Sequence, residues 1–432
     1  MNARGPLPVT APLLSRLSSP LPAPLSSPSS SSSSPVPGDG IDAPGRSCPL
    51  RYRYGAAAIA RAPQRAADVL YVVGGLYGNL AALDALDALV AAEAQPPRIC
   101  FNGDFHWFDC DDAAFDEVCR RVLAHDATQG NVEAELDGGT DDAGCGCAYP
   151  AHVDAGVVAR SNRIHARLKA TAARHPLWRA RLAALPMFAR YRVGGCQVGV
   201  VHGDAHSLAG WDFDAPALAD AAMQPALRAA FATAGVDLFA STHTCTPALH
   251  RVRDVAGAAG DAGRDGWVVN NGAAGMPNFA PFARDGATDG TEDGRRDGRE
   301  DCARDDARDG SASGARSGWH GRHDLPDLHG ARSPNTSNGP NAPNRPDDLY
   351  GLVTRIATTP SPHPAVHQFM HVGAHVALLP LRYDSAGWQA DFLRQWPPGS
   401  DAWASYFDRI SCGTALTRAQ MVAGADTSSR VA

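Results

Sequence analysis

The sequence predicts an α/β fold. Short apolar runs alternate with stretches of helical periodicity, several runs end in polar loops holding Gly or Asn, and one Gly-Gly pair joins two runs as a hairpin. Asp68–Val73 is an apolar run ending in Gly74-Gly75, a buried strand by composition. From Asn79 to Glu93, Leu80, Leu83, Leu86, Leu89 and Val90 fall roughly on one helix face, with Asn79 placed to cap it. Arg98–Asn102 is a second strand, stopped by Gly103-Asp104. Asp154 to Arg174 reads as a long helix. Met187–Val193 and Cys196–Val201 flank Gly194-Gly195, a hairpin signature. Val236–Ala240 leads into Ser241-Thr242-His243, and Trp267–Asn270, Tyr350–Thr358 and His375–Tyr383 are later strands. Polar loops after strands suit a ligand site at the C-terminal ends of an open sheet.

Composition narrows the class. The 432 residues suffice for one large domain or two modest ones, and 44% hydrophobic content can fill a core. A formal charge of −7 gives no support for nucleic-acid or membrane-surface binding. Lys169 is the only lysine, so the basic content is almost all Arg, without clustering on a predicted face. The ten Cys form no CxxC pair. No signal-peptide core and no membrane-spanning apolar run is visible, which makes the cytoplasm, with reduced thiols, the expected location.

Two stretches read as disordered. Residues 1–48 are largely Pro, Ser and Ala, with unbroken Ser from Ser29 to Ser34. Residues 284–348 repeat Arg-Asp-Gly units, at Arg284, Arg296 and Arg308, then turn rich in Asn and Pro. The latter reads as a solvated insertion within one domain spanning 49–283 and 349–415, with 416–432 a flexible tail.

Five short segments carry the chemistry: Gly74-Gly75-Leu76-Tyr77-Gly78-Asn79, Gly103-Asp104, Gly130-Asn131-Val132-Glu133, His202-Gly203-Asp204 and Thr242-His243-Thr244-Cys245. A divalent cation needs oxygen and imidazole ligands converging on one point, and loops after neighbouring strands can supply them. In order and strand context these segments resemble the calcineurin-like metallophosphoesterase family, which reads Asp-x-His-Gly-Asn, Gly-Asp, Gly-Asn-His-Glu/Asp, His-Gly and Gly-His-x-His. The run Asn270-Asn271-Gly272-Ala273-Ala274-Gly275-Met276-Pro277 is similar to the segment that often follows the last motif in bacterial members. The resemblance spans about Asp68 to Asn278. It implies a four-layer αββα sandwich, two mixed β-sheets flanked by helices.

The same resemblance assigns ligands. One metal would be held by the positions now occupied by Gly75, Tyr77, Asp104 and Cys245; Gly has no side chain and a neutral phenol is a poor ligand. The other would be held by Asp104, Asn131, His202 and His243, all intact. The losses thus fall on one site and spare the other. Cys245 is either a small residue filling the place of a His or a thiolate ligand favouring a softer metal such as zinc. Val132 stands where the family has the His that assists the leaving oxygen.

Nearby residues leave alternatives open. His106 is a candidate acid/base or substitute ligand, or a packed His; Asp109 follows it closely. Tyr77 could bond a phosphate oxygen or pack beneath its loop. Cys145 and Cys147 read as loop thiols that could reach the same cleft. The C-terminal aromatics Trp388, Trp396, Trp403, Tyr406 and Phe407 read as core or packed tail, with a partner or substrate-lid surface as the alternative.

The intact family holds two metals about 4 Å apart. The resemblance therefore implies a metal-dependent phosphoesterase-like hydrolase with an atypical, single-metal centre, using one or two divalent ions (Mn, Zn or Fe) on a small phosphorylated substrate. The rival expectation is a non-catalytic relative that binds a phosphate-containing ligand or a partner protein.

Overall fold

Twelve strands of the described residues pair into two six-stranded sheets. The computed structural model describes residues 43–137, 143–255, 263–279 and 349–422. The Pro/Ser-rich stretch before 43, the Arg-Asp-Gly insertion and the tail after 422 lie outside the described residues. The strands are β1 (Gln64–Ala67), β2 (Val69–Val73), β3 (Arg98–Asn102), β4 (Asp126–Thr128), β5 (Phe188–Val193), β6 (Cys196–Val201), β7 (Leu238–Ser241), β8 (Ala248–Val255), β9 (Arg264–Asn270), β10 (Gly351–Ala357), β11 (His367–His371) and β12 (Ala374–Leu381). One sheet runs β1-β5-β6-β7-β9-β8 and the other β11-β12-β10-β2-β3-β4. Both are mixed: β6, β7 and β9 run parallel in the first, as do β2, β3 and β4 in the second.

The helices are α1 (Ala56–Arg61), α2 (Leu80–Val90), α3 (Asp112–Val122), α4 (Asn131–Ala134), α5 (Ala155–Arg174), α6 (Pro176–Ala183), α7 (Ala215–Ala219), α8 (Gln224–Ala234), α9 (Ser385–Gln395), α10 (Asp401–Cys412) and α11 (Arg418–Met421). Asn79 caps α2 as expected, accepting from the Ala82 amide.

Strand β2 shows why the layers stack. Its five residues are all buried. Leu70 and Val72 join Val198, Val200, Leu238, Leu352 and Ile356 between the sheets. Val69, Tyr71 and Val73 turn the other way, against Leu83, Leu86, Phe115, Ile164 and Phe392 from α2, α3, α5 and α9. On the outer face of the other sheet, Phe239 and Val268 pack with Ile59 of α1 and Leu227 and Phe231 of α8. Helix, sheet, sheet and helix thus form the four layers of the expected αββα sandwich, α/β in class. A strand apolar on both faces is what this stacking requires.

The edges of the domain differ from the sequence reading. Arg46 lies in the stretch assigned to the tail, yet its guanidinium donates to the carbonyls of Pro150 and Val153 at 2.8 and 2.7 Å. Residues 418–421 form α11, whose Met421 is buried in the inter-sheet core. Both ends are anchored where composition alone reads as solvated: the Gly45 amide also donates to the Ala143 carbonyl, and Arg418 donates to the Tyr350 hydroxyl. No helix among the described residues is long and apolar enough to cross a membrane.

Candidate metal centre

The parallel strands of both sheets deliver the site residues from their C-terminal ends. Asp104 follows β3, Asn131 follows β4, His202 follows β6 and His243 follows β7. Glycines let these loops touch. Gly103 adopts φ +73°, and a Cβ there would meet the Gly130 nitrogen at 2.3 Å. The next residue, Asp104, is itself held at φ 51°.

Four polar atoms meet around the His202 ring. His202 Nε2 lies 3.3 Å from a carboxylate oxygen of Asp104, 3.2 Å from Asn131 Oδ1 and 3.2 Å from His243 Nδ1. Asp104, His202 and His243 place their ligand atoms within 4.8 Å of one another. All four residues are buried. Two nitrogens about 2.1 Å from one ion at a tetrahedral angle stand roughly 3.4 Å apart, close to these separations.

The other polar end of each side chain is tied away from that point. His202 Nδ1 donates to the Asn102 carbonyl at 2.9 Å, which turns Nε2 inward. His243 Nε2 donates to the Cys147 carbonyl at 3.2 Å, which turns Nδ1 inward. The Asn131 amide nitrogen donates to the Cys145 carbonyl at 2.9 Å and to Cys147 Sγ at 3.4 Å, leaving Oδ1 directed at the cluster. Backbone carbonyls that fix a tautomer this way are the usual support of ligating imidazoles. The donor set of one carboxylate, one amide oxygen and two imidazoles fits a borderline divalent ion such as Mn, Zn or Fe.

Electrostatics follow from this packing. Burial, together with the neighbouring His202, pushes the His243 imidazole down to about 3, so it is neutral with a free lone pair at Nδ1. Burial also opposes charge on His202, but the Asp104 carboxylate and its hydrogen bond raise it above its ordinary value. Burial opposes ionisation of Asp104 too; His202, His243 and the Val132 amide outweigh it and hold the carboxyl low.

Glu133 braces the cluster from behind, a part the motif order does not reveal. Its buried carboxylate accepts from the backbone amides of Asp104, Phe105, His106 and Gly130 at 2.8, 3.1, 3.2 and 2.9 Å. One side chain thereby ties the loop after β3 to the loop after β4. The available signal was its place three residues into α4, where a Glu reaches back to the cap amide.

Two expected candidates stand elsewhere. Cys245, weighed as a thiolate ligand, is not in the Asp104–His202–His243 group. Its Sγ lies 2.6 Å from the Tyr77 hydroxyl, and burial raises both the thiol and the phenol, leaving each neutral. His106, weighed as an acid/base or substitute ligand, turns into the core. Its ring stacks on Phe115 at 4.3 Å and bonds Asp109 at 2.5 Å and Cys119 at 3.3 Å. Chain proximity to Asp104 does not set direction, and the helix α3 side of the ring wins.

At the positions that the sequence resemblance assigns to a second ion, the side chains pack on one another. A Cβ on Gly75 would meet the Tyr77 ring and hydroxyl at 2.9 Å, so no side chain enters from that position without displacing Tyr77. Beside the cluster lies a cavity of about 290 Å³, lined by Tyr77, Asp104, Asn131, Val132, Cys147, Tyr149, Trp211, His243, Cys245 and Tyr406 among others. Tyr406 is therefore a wall of this cavity, while Trp388 and Trp396 are core. A larger open hollow of about 700 Å³ sits by Asp68, Arg98 and Asp126, at the N-terminal ends of the parallel strands, away from the cluster.

Among solved structures, the chain is similar to a metallophosphoesterase from Sphaerobacter thermophilus at 15% identity, covering 80% of this chain and 100% of that one, with a TM-score of 0.40. It is also similar to a hypothetical protein from Pyrococcus horikoshii OT3 at 15% identity, covering 50% of this chain and 79% of that one, with a TM-score of 0.33. Superpositions at this level fix no residue correspondence. No family model and no curated protein matches the chain.

Proposed function

We propose that the chain is a metal-dependent phosphoesterase of the calcineurin-like class, with one divalent ion held by Asp104, Asn131, His202 and His243. The observation that carries this is the tying of every non-ligating end: three backbone carbonyls orient His202, His243 and Asn131 so that their free atoms face the Asp104 carboxylate. A purely structural cluster has no need to hold two imidazole nitrogens 3.2 Å apart and both turned inward.

An ion so held supplies Lewis-acid polarisation of a phosphoryl oxygen and a water of lowered pKa. The protein's own residues do the rest. Asp104 supplies the negative charge that anchors the cation, Glu133 fixes the loop that carries Asp104, and the apolar walls exclude bulk water. Val132, on the cavity wall, offers no proton to a leaving oxygen. General acid catalysis typically contributes about 10²–10⁴-fold, so esters with poor leaving groups turn over slowly.

The test is a hydrolysis screen on aryl phosphates, phosphodiesters and nucleotides, with and without added Mn, Zn or Fe. Metal-dependent turnover that disappears in His202→Ala supports the reading; turnover unchanged in that variant overturns it. The second reading, a binder without catalysis, is favoured by the Tyr77–Cys245 contact that fills the second ligand space. It predicts phosphate binding with no turnover on any of these esters.

A further inference from the structure

We propose that the cavity beside Asp104, His202 and His243 takes a phosphoric ester of a single flat aromatic alcohol, an aryl phosphate in chemical class, with Trp211 and Tyr149 gripping the ring and Arg160 anchoring the phosphate. This rests on the metal-dependent reading above and names its substrate.

The first observation is the wall. The cavity measures about 290 Å³, at the low end for ligand sites, which suits one ring and a phosphoryl group rather than a polymer. The Trp211 ring lies 5.2 Å from His243 and 6.1 Å from Tyr149, so it begins at the metal cluster and continues into an aromatic wall. Both polar tips are occupied: Trp211 Nε1 donates to the Cys147 carbonyl at 3.1 Å, and the Tyr149 hydroxyl meets Ser161 Oγ at 3.1 Å. What these rings present to a guest is therefore carbon. An aromatic pair contributes about 0.5–1.5 kcal/mol beyond the area it buries. Arg160 is the one Arg or Lys lining the cavity among the described residues. Its Nε donates to Ser405 Oγ at 2.7 Å, and its two terminal nitrogens have no hydrogen bond among the described residues, a fork suited to phosphate.

The second observation is chemical. Asp104 and His243, both assigned to the ion, are the one carboxylate and the one imidazole on the lining among the described residues; its other ionisable groups are the Arg160 guanidinium, three phenols and two thiols. No carboxylate or imidazole beyond Asp104 and His243 stands on the lining, among the described residues, to hand a proton to a departing oxygen. A leaving group must depart here as its anion. In the reaction, the bond from phosphorus to the aryl oxygen breaks and one from phosphorus to a water oxygen forms. The electron pair leaves on the phenolate, and the water proton passes to solvent. A phenol has a pKa of about 10, so its anion leaves without help far more readily than an alkoxide.

The test uses non-hydrolysable phosphonates on the metal-loaded full chain, read by calorimetry. Phenylphosphonate binds at least tenfold tighter than methylphosphonate in the wild type. Trp211→Leu and, separately, Tyr149→Leu bring that ratio towards one while metal content and affinity for inorganic phosphate stay the same. Arg160→Gln weakens both phosphonates and inorganic phosphate by about tenfold. Equal affinity for the two phosphonates in the wild type, or a ratio untouched by both wall variants, overturns the ring assignment and leaves the metal reading standing. A chain that carries no metal and binds neither phosphonate overturns both.

Discussion

The Cys245 thiol and the Tyr77 phenol lie 2.6 Å apart, at two positions that the sequence resemblance assigns to the ligands of a second cation. Arg409 reinforces this, donating to the Cys245 carbonyl at 2.8 Å. Protein purified without added ions is expected to carry about one divalent ion per chain by elemental analysis. A value near two would mean that Tyr77 and Cys245 yield to metal, and a value near zero would favour the non-catalytic binder.

Removing the ion should expose the coupling of metal to folding. Ligand at about 100 times its Kd adds about 2.7 kcal/mol to stability. Chelation is expected to lower the wild-type Tm by on the order of 5 °C. His202→Ala should show a lower Tm at the outset and no further drop with chelator. An equal drop in both proteins would place the ion elsewhere.

Glu133→Gln tests the tie between the β3 and β4 loops. The variant keeps the shape but replaces one acceptor oxygen by a donor facing backbone amides that the carboxylate now satisfies. Hydrogen bonds to a charged group contribute about 1.5–3 kcal/mol each, and an orphaned buried donor costs about 1–3 kcal/mol. A loss of about 3 kcal/mol in urea unfolding is expected, together with weaker metal retention. A loss under 1 kcal/mol would show that the loops hold without this carboxylate.

Acid stability should report a pair far from the centre. Buried Arg355 donates to both Glu93 oxygens at 2.6 and 2.9 Å, and Tyr71 adds a third bond at 2.6 Å. Burial pushes the Glu93 carboxyl up, but Arg355 and Tyr71 outweigh it and hold it below its ordinary value of 4.5. A lowered carboxyl contributes fully above pH 4.5 and loses that contribution as pH falls through its folded value. Arg355→Leu should cost about 3–5 kcal/mol at neutral pH by stranding Glu93. That gap should narrow below pH 4.5; a gap independent of pH would mean lost packing rather than lost pairing.

Much of the fold was legible because β2 is a continuous apolar run and β3, β6 and β10 are mostly apolar. Gln64–Ala67 and Asp126–Thr128 were not singled out, since strands of four and three residues at sheet edges carry little apolar pattern. The four clustered residues were legible from the order of their motifs, with Asp104, His202 and His243 just past strands and Asn131 after a Gly in a loop. His106 was not, because its direction is decided by Phe115 and Cys119 on α3. Glu133 and the Cys145–Cys147 carbonyls were hidden for another reason: they work through the peptide backbone, which every sequence shares.

That last point bears on how such a centre can drift. Asn131 and His243 take their aim chiefly from the main-chain oxygens of Cys145 and Cys147, and any amino acid that preserves the turn supplies the same oxygens. Descendants of this chain can therefore exchange those cysteines while keeping the lone pairs on target, provided Gly146 keeps its left-handed backbone at φ +68°.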